Sequence, residues 1–173
     1  MCRSGISLLS GRPILFRINE VLRFGSQCYR VLQLLGDYLV WINIDEPAAF
    51  PELALVSELQ DAIEQELLER TDDPHKALAY ESPEEGTTAR TKRDSNYALI
   101  KPLIDLPDFY SPKRRGPVVE DIIRSSATTK QTVYRLARRY WQRGQIPNAL
   151  LPDYKNSGAR GRRRLAGDKK LGR

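Results

Sequence analysis

Four side chains close together on one predicted helix have the hydrogen-bonding chemistry that reads nucleic-acid bases: Lys130, Gln131, Tyr134 and Arg135. A glutamine can pair with adenine through two hydrogen bonds, and an arginine or lysine can bind the acceptor atoms of guanine. Three further cations follow on the same polar face, namely Arg138, Arg139 and Arg143. Because phosphate contacts orient a protein on a duplex, these three arginines are predicted to contact phosphates.

An amphipathic helix is predicted to hold these side chains. Its apolar positions recur at three- and four-residue steps, as they do on a helix with one buried face: Val133, Leu136, Ala137, Tyr140 and Trp141. Thr128 stands three residues before Gln131, which is the spacing of a capping box and predicts that the helix opens at Thr128. Gly144 is predicted to end the helix.

A short helix that precedes the basic helix is predicted to begin at Pro117. It continues over apolar residues at helical spacing: Val118, Val119, Ile122 and Ile123. An earlier helix is predicted after Ser95-Asn96, with Pro102 as a conflict in its interior. The helix from Pro117, the turn after it and the basic helix that follows are typical of a helix-turn-helix, whose second helix enters the major groove. A helical hairpin with a solvated basic face remains the alternative.

Charge is divided unequally along the chain. Residues 1–89 carry 7 basic and 15 acidic side chains, a net charge of −8, whereas residues 90–173 carry 21 basic and 7 acidic ones, a net charge of +14. The strongly basic second half favours a polyanionic partner, because Lys and Arg side chains that neutralise phosphates release the counterions condensed on the polyanion. The acidic half would be repelled by the same partner, although a solvated basic tail would give a similar charge pattern.

The fold class predicted from these patterns is α+β, with a small antiparallel β-rich domain, an all-α helix-turn-helix domain and a basic flexible tail. Strands are predicted at 28–34 and 38–44 around a turn at Gly36-Asp37, within a sheet or barrel of three or four strands. A helix is predicted from Glu52 to Glu69. The predicted limits are 1–13 for an unassigned extension, 14–70 for the β-rich domain, 71–93 for a linker, 94–152 for the helix-turn-helix domain and 153–173 for a Gly/Arg-rich arm.

Several classes of protein are excluded by composition. The chain is 40% apolar and 29% charged, which is typical of a globular protein with a core and not of a collagen or a disulfide scaffold. It has no apolar run long enough to span a membrane, so no membrane partner is expected. The sulfur and imidazole ligands typical of zinc sites are limited to Cys2, Cys28 and His75, and no Cys-x-x-Cys pair exists, so no metal site and no cofactor are expected. We expect a cytoplasmic, nucleoid-associated protein in which Cys28 is a buried strand residue and not a nucleophile.

A long run from Val133 to Gly158, VYRLARRYWQRGQIPNALLPDYKNSG, resembles the N-terminal DNA-binding part of the TnsB-type transposases, the large subunits of heteromeric cut-and-paste transposons. Residues 18–22 and 29–32 resemble the start of those proteins, and residues 70–74 provide a third match. The resemblance covers about residues 14–172. It implies sequence-specific binding of double-stranded DNA at transposon-end repeats, with other transposition proteins as further candidate partners.

The family continues into a catalytic domain that holds an Asp/Asp/Glu triad and a divalent metal, and this sequence stops at Arg173, before such a domain. The resemblance therefore implies DNA binding without catalysis, and a metal only in the domain that is not here. Two other roles remain open, a truncated transposase that regulates transposition and a protein-interaction adaptor. In the arm, these residues are predicted to bind phosphates or a minor groove: Lys155, Arg160, Arg162, Arg163 and Arg164.

Overall fold

The computed structural model describes residues 14–153, and its elements follow the predicted α+β order. Five strands come first in the described chain: β1 (Val21–Phe24), β2 (Gln27–Leu35), β3 (Tyr38–Asn43), β4 (Glu52–Leu55) and β5 (Leu68–Thr71). Four α-helices follow or interrupt them: α1 (Val56–Glu64), α2 (Thr88–Ile104), α3 (Pro112–Ser125) and α4 (Lys130–Gln142). Short 3₁₀ helices cover Lys76–Tyr80 and Pro147–Leu150.

The strands form one antiparallel sheet in the order β4-β3-β2-β1-β5. The predicted hairpin between β2 and β3 is confirmed, and Gly36 supplies the positive φ of 65° that its tight turn requires. Tyr29 and Trp41 stack across the two strands with ring centroids 4.3 Å apart, and this cross-strand pair stabilises the hairpin.

The helix predicted from Glu52 to Glu69 is wrong at both ends. Residues 52–55 form β4, which pairs with β3, and only Val56–Glu64 is helical. Glu66 then has a φ of 57°, and the chain turns into β5, a strand that the sequence did not predict. The apolar spacing of Val56, Leu59 and Ile63 was a correct helical signal, but the strand pairing on either side of it depends on β3 and β1, which lie far away in sequence.

The sheet is buried on both faces along β2, because the two faces contribute to two different apolar cores. Val31 points to the core beneath α1, which also holds Leu22, Leu39 and Leu59. The neighbouring Leu32 points to the opposite core, which the sheet shares with α2, α3 and α4. The β-rich and helical parts therefore pack directly against each other.

Residues 71–93, predicted as a linker, contain the 3₁₀ helix Lys76–Tyr80 and the first turn of α2. The helix begins at Thr88 because the hydroxyl of Thr87 accepts a hydrogen bond from the backbone N–H of Arg90 at 3.3 Å. The predicted start after Ser95-Asn96 is therefore too late. The domain limits themselves stay a prediction.

Two prolines lie inside helices. Pro102 lies in the last turn of α2, which ends at Ile104, and the helix continues through it although the proline has no N–H to donate to the Ala98 carbonyl. Pro117 was expected to open its helix, but α3 already begins at Pro112, preceded by Ser111. Pro112 thus takes the first-turn position that a proline fills without losing a hydrogen bond. Within residues 14–153, no helix combines the length and the apolar content needed to cross a bilayer.

Candidate nucleic-acid interface

The predicted pair of helices is present, and it is held together by the apolar stripe of α4. Val133, Leu136, Ala137 and Trp141 are buried in the core that α4 shares with α3 and the sheet, with the half-buried Tyr140 beside them. Residues 126–129 join α3 to α4. This connectivity is that of a helix-turn-helix, and it leaves the polar face of α4 directed away from the core.

The start of α4 is capped by Thr129, not by the predicted Thr128. The hydroxyl of Thr129 accepts a hydrogen bond from the backbone N–H of Thr132 at 3.2 Å. The capping box predicted between Thr128 and Gln131 is therefore wrong by one residue. Because Thr129 is the N-cap, Gln131 is not placed to complete a capping box, and it is exposed.

Three of the four base-reading candidates are exposed at the N-terminal end of α4: Lys130, Gln131 and Arg135. Tyr134, the fourth, is half-buried, and its ring meets Phe50 edge-on at 5.1 Å. The ammonium group of Lys130 lies 6.0 Å from the Tyr134 ring centroid. The structure thus brings these four residues together on one end of the helix and leaves three of them open to a partner.

Arg138 lies against the loop between β3 and β4. Its guanidinium is 4.9 Å from the Phe50 ring centroid, and its Nε donates to the Tyr134 carbonyl at 3.1 Å. Further along, the Gln142 amide donates to the carbonyls of Asn43 and Glu46 at 2.9 and 2.8 Å. The β-rich part therefore contacts one side of the polar face and leaves Lys130, Gln131 and Arg135 exposed at its N-terminal end.

Arg139 and Arg143 are drawn into contacts within the chain. The Arg139 guanidinium donates to the carbonyls of Ala149, at 2.9 Å, and Leu151, and lies 3.1 Å from the Asp153 carboxylate. Arg143 binds both oxygens of the same carboxylate at 3.0 and 3.1 Å. Burial is the main cause that lowers the pKa of Arg139, and the hydrogen bond from Arg143 is the main cause that lowers the pKa of Asp153.

The predicted arm residues lie outside the described part of the chain: Lys155, Arg160, Arg162, Arg163 and Arg164. The extension at 1–13 also lies outside it. Cys28 lies in β2, as predicted, but it is half-buried where a buried residue was expected, and its thiol is free. His75, which had no evident partner in the sequence, is half-buried beside Asp73, whose carboxylate accepts its backbone N–H at 2.8 Å.

Sequence reasoning missed two groups of polar residues near α4. Arg30 of β2 is fully buried and donates to the backbone carbonyl of Gln142 at 3.1 Å, although nothing in an alternating strand pattern identifies a buried arginine. Lys92 and Asn96 of α2 line a groove of about 330 Å³ with Arg135. Their spacing of four residues, which places both on one side of a helix, was the signal that could have identified them.

Two family models match the chain. Residues 15–74 match the model described as the TnsB N-terminal SH3-like domain, and residues 93–154 match the TnsB second domain. The first range contains the five-stranded sheet and α1, and the second contains α3, α4 and most of α2. These matches confirm the family resemblance of the three sequence runs.

A curated relative carries the same family name, TnsB. The chain is 42% identical over 160 residues to the Transposon Tn7 transposition protein TnsB of Escherichia coli. The aligned part is 92% of this chain but 23% of that protein. The chain thus spans less than a quarter of the length of the relative it matches.

Proposed function

Because this chain belongs to the TnsB family, with the N-terminal SH3-like domain and the second domain of that family, we propose that it binds double-stranded DNA at transposon-end repeats. In this proposal α4 enters the major groove, and Lys130, Gln131 and Arg135 contact base edges. Tyr134 contributes from its half-buried position beside them.

One observation carries the proposal. The open part of the polar face is the N-terminal half of α4, where Lys130, Gln131 and Arg135 are exposed, and this is the half of a recognition helix that meets bases. The opposite face is anchored by Trp141, which is fully buried. An anchored helix presents its exposed side chains in fixed positions, which direct readout of bases requires.

Phosphate contacts complete the proposed interface. Arg138 and Arg143 are partly exposed residues at the edge of α4, and the cations of the arm follow Asp153 in sequence. Arg139 is the exception among the predicted phosphate contacts, because two backbone carbonyls already accept its hydrogen bonds. We assign Arg139 mainly to holding the segment after α4 in place.

The proposed contacts of α4 are made by cations and an amide, so this binding step itself requires no metal and no cofactor. We also propose a regulatory role, in which the chain occupies transposon ends and competes with transposases of the family for the same sites. Co-expression with a full-length enzyme of the family tests this role, and an unchanged transposition frequency would contradict it.

The direct test is a titration of the full chain with two fluorescent duplexes at fixed salt. One carries the end repeat of the element that encodes the chain, and the other carries the same bases in shuffled order. Since each correctly read base pair contributes about 1–3 kcal/mol, the end repeat should bind at least tenfold more tightly. Equal affinity for the two duplexes would contradict the proposal.

A second function, docking of a protein partner, is favoured by a groove on the sheet face that lies under α1. The groove has a volume of about 490 Å³, and apolar residues, among them Phe24, Trp41 and Leu67, form most of its lining. Glu58 and Asp61 supply negative charge there, and among residues 14–153 no basic residue lines it. We propose that it takes a peptide segment with a large apolar side chain flanked by Lys or Arg, contributed by another transposition protein.

A labelled peptide of alternating Leu and Arg tests this groove by fluorescence polarisation. Leu67→Ala should weaken binding, because Leu67 is 54% exposed and lines the groove. Leu53→Ala is the matched control, because Leu53 is 47% exposed on β4 and lies outside the groove. An equal effect of the two substitutions, or no binding to the unmodified chain, would refute this second function.

A further inference from the structure

We infer that the groove between α2 and α4 is a binding site for one phosphate of the DNA backbone, and that Asp153 is an internal anion that competes for it. The inference deepens the proposed function and rests on it. Lys92 and Asn96 of α2 line the groove on one side, Arg135 and Arg139 of α4 line it on the other, and Asp153 lies at its end.

The position of the groove fits a duplex whose major groove receives α4. The major groove is about 12 Å wide, and a helix with its side chains is about 10–12 Å thick, so the phosphate backbones lie directly against the flanks of an inserted helix. Arg135 belongs both to the exposed end of α4 and to the lining of this groove. The groove therefore lies directly beside the proposed base-reading residues and shares Arg135 with them.

The charges that line the groove are not balanced. Within residues 14–153, neither Lys92 nor Arg135 has a carboxylate within ion-pairing distance, and Lys92 is exposed. Asn96 adds an amide that can donate a hydrogen bond. Burial lowers the pKa of Arg139, and repulsion from Arg143 and Arg135 lowers it further, so an anion at this place would relieve the crowding of positive charge.

Asp153 shows which kind of ligand the site accepts. Its carboxylate oxygens lie 3.1 Å from the Arg139 guanidinium and 3.0 Å from that of Arg143. A phosphate diester likewise carries one negative charge and two non-bridging oxygens, which can accept two hydrogen bonds from an arginine. The Asp153 side chain is 46% exposed, so it can be displaced without unfolding a core element.

Two substitutions on one helix test the site. Lys92→Gln should weaken binding to the end repeat and to the shuffled duplex by the same factor, about five- to tenfold at 0.1 M salt, and should lower the slope of log Kd against log salt by about one. Lys101→Gln is the matched control, because Lys101 is an exposed lysine of α2 outside the groove and pairs with Asp105 at 2.7 Å.

Two further substitutions test the charge of the site. Lys92→Glu should weaken binding more than Lys92→Gln, and Asp153→Asn should tighten binding to both duplexes.

The outcomes separate this inference from the proposed function. If Lys92→Gln and Lys101→Gln give the same affinity and salt slope while the unmodified chain still prefers the end repeat, the phosphate site is refuted and the proposed function stands. If Asp153→Asn weakens binding or leaves it unchanged, the competition is refuted. If the unmodified chain binds no duplex, both the inference and the proposed function fail.

Discussion

The guanidinium of Arg30 lies 2.5 Å from the carboxylate of Asp73 and is fully buried. The same guanidinium donates to the backbone carbonyls of Asn19 and Gln142, at 3.0 and 3.1 Å. One side chain therefore connects the sheet, the segment after β5 and the C-terminal end of α4. Because Gln142 is the last residue of α4, this contact ties the C-terminal end of the helix to the sheet.

Asp73→Asn should lower the free energy of unfolding by about 2–3 kcal/mol. The substitution leaves a buried guanidinium without its counter-charge, and this loss usually costs about 3–5 kcal/mol, here reduced because the Asp73 side chain is 27% exposed. Asp72→Asn is the control, because Asp72 is 92% exposed and pairs only with Lys76, at 3.5 Å. Urea unfolding measures both free energies. Equal effects would show that the buried Arg30–Asp73 pair stabilises the fold no more than the exposed Asp72–Lys76 pair.

The stabilisation from Asp73 should also depend on pH. Burial raises the pKa of Asp73, but hydrogen bonds from Arg30 and the His75 backbone outweigh it, so the pKa lies below its ordinary value of 3.8. A carboxylate with a lowered pKa stabilises the fold above its unfolded pKa and loses this contribution as the pH falls through the folded pKa. The difference in unfolding free energy between the unmodified chain and Asp73→Asn should therefore be constant above about pH 5 and shrink below about pH 4. A constant difference down to pH 3 would contradict this assignment.

Two adjacent threonines provide a sharp test of the start of α4. Thr129→Ala should lower stability by about 1 kcal/mol, because it removes the hydroxyl that accepts the Thr132 N–H. Thr128→Ala should change stability by less than about 0.5 kcal/mol, since a substitution away from a cap has little effect. Thermal unfolding followed by circular dichroism compares the two, and a larger effect at Thr128 would place the cap where the sequence predicted it.

Arg135 and Arg138 should affect DNA binding in different ways. Arg135→Ala should weaken binding mainly to the end repeat, because Arg135 is exposed at the base-reading end of α4. Arg138→Ala should weaken binding to every duplex alike and lower the salt slope by about one. Arg23→Ala is the control, because Arg23 lies on β1 and pairs with Glu69. Titration at several salt concentrations measures all three, and an equal loss for both duplexes in Arg135→Ala would remove it from the base-reading set.

DNA binding should be unaffected by EDTA. Among residues 14–153, no group of three His, Cys, Asp or Glu side chains lies close enough together to hold a metal ion. The proposed contacts are made by cations and amides, which need no metal to meet phosphates or bases. Titrations in 5 mM EDTA and in 5 mM MgCl₂ at matched ionic strength should give the same preference for the end repeat. A preference that disappears in EDTA would show that a metal takes part.

The helix α4 was predicted correctly because its signals are local. Helical hydrogen bonds join residues four apart, so the apolar stripe through Val133 and Trp141 and the glycine at 144 report on α4 without reference to the rest of the chain. The exposure of Lys130 and Arg135 follows from the same periodicity. The cap was misplaced by one residue because Thr128 and Thr129 are chemically equivalent and only the backbone geometry distinguishes them.

Other features depended on contacts between distant residues. Residues 52–55 became a strand because β3 offers them a pairing edge, although their own pattern favoured a helix. Arg30, Arg139 and Arg143 look like any other cations in the sequence, and only tertiary neighbours place them beside Asp73 or Asp153. The sequence by itself thus determined the family, the α+β order and the amphipathic helix α4. Tertiary structure decided which of its cations remain exposed, because burial and ion pairing are set by residues that the fold, and not the chain order, brings together.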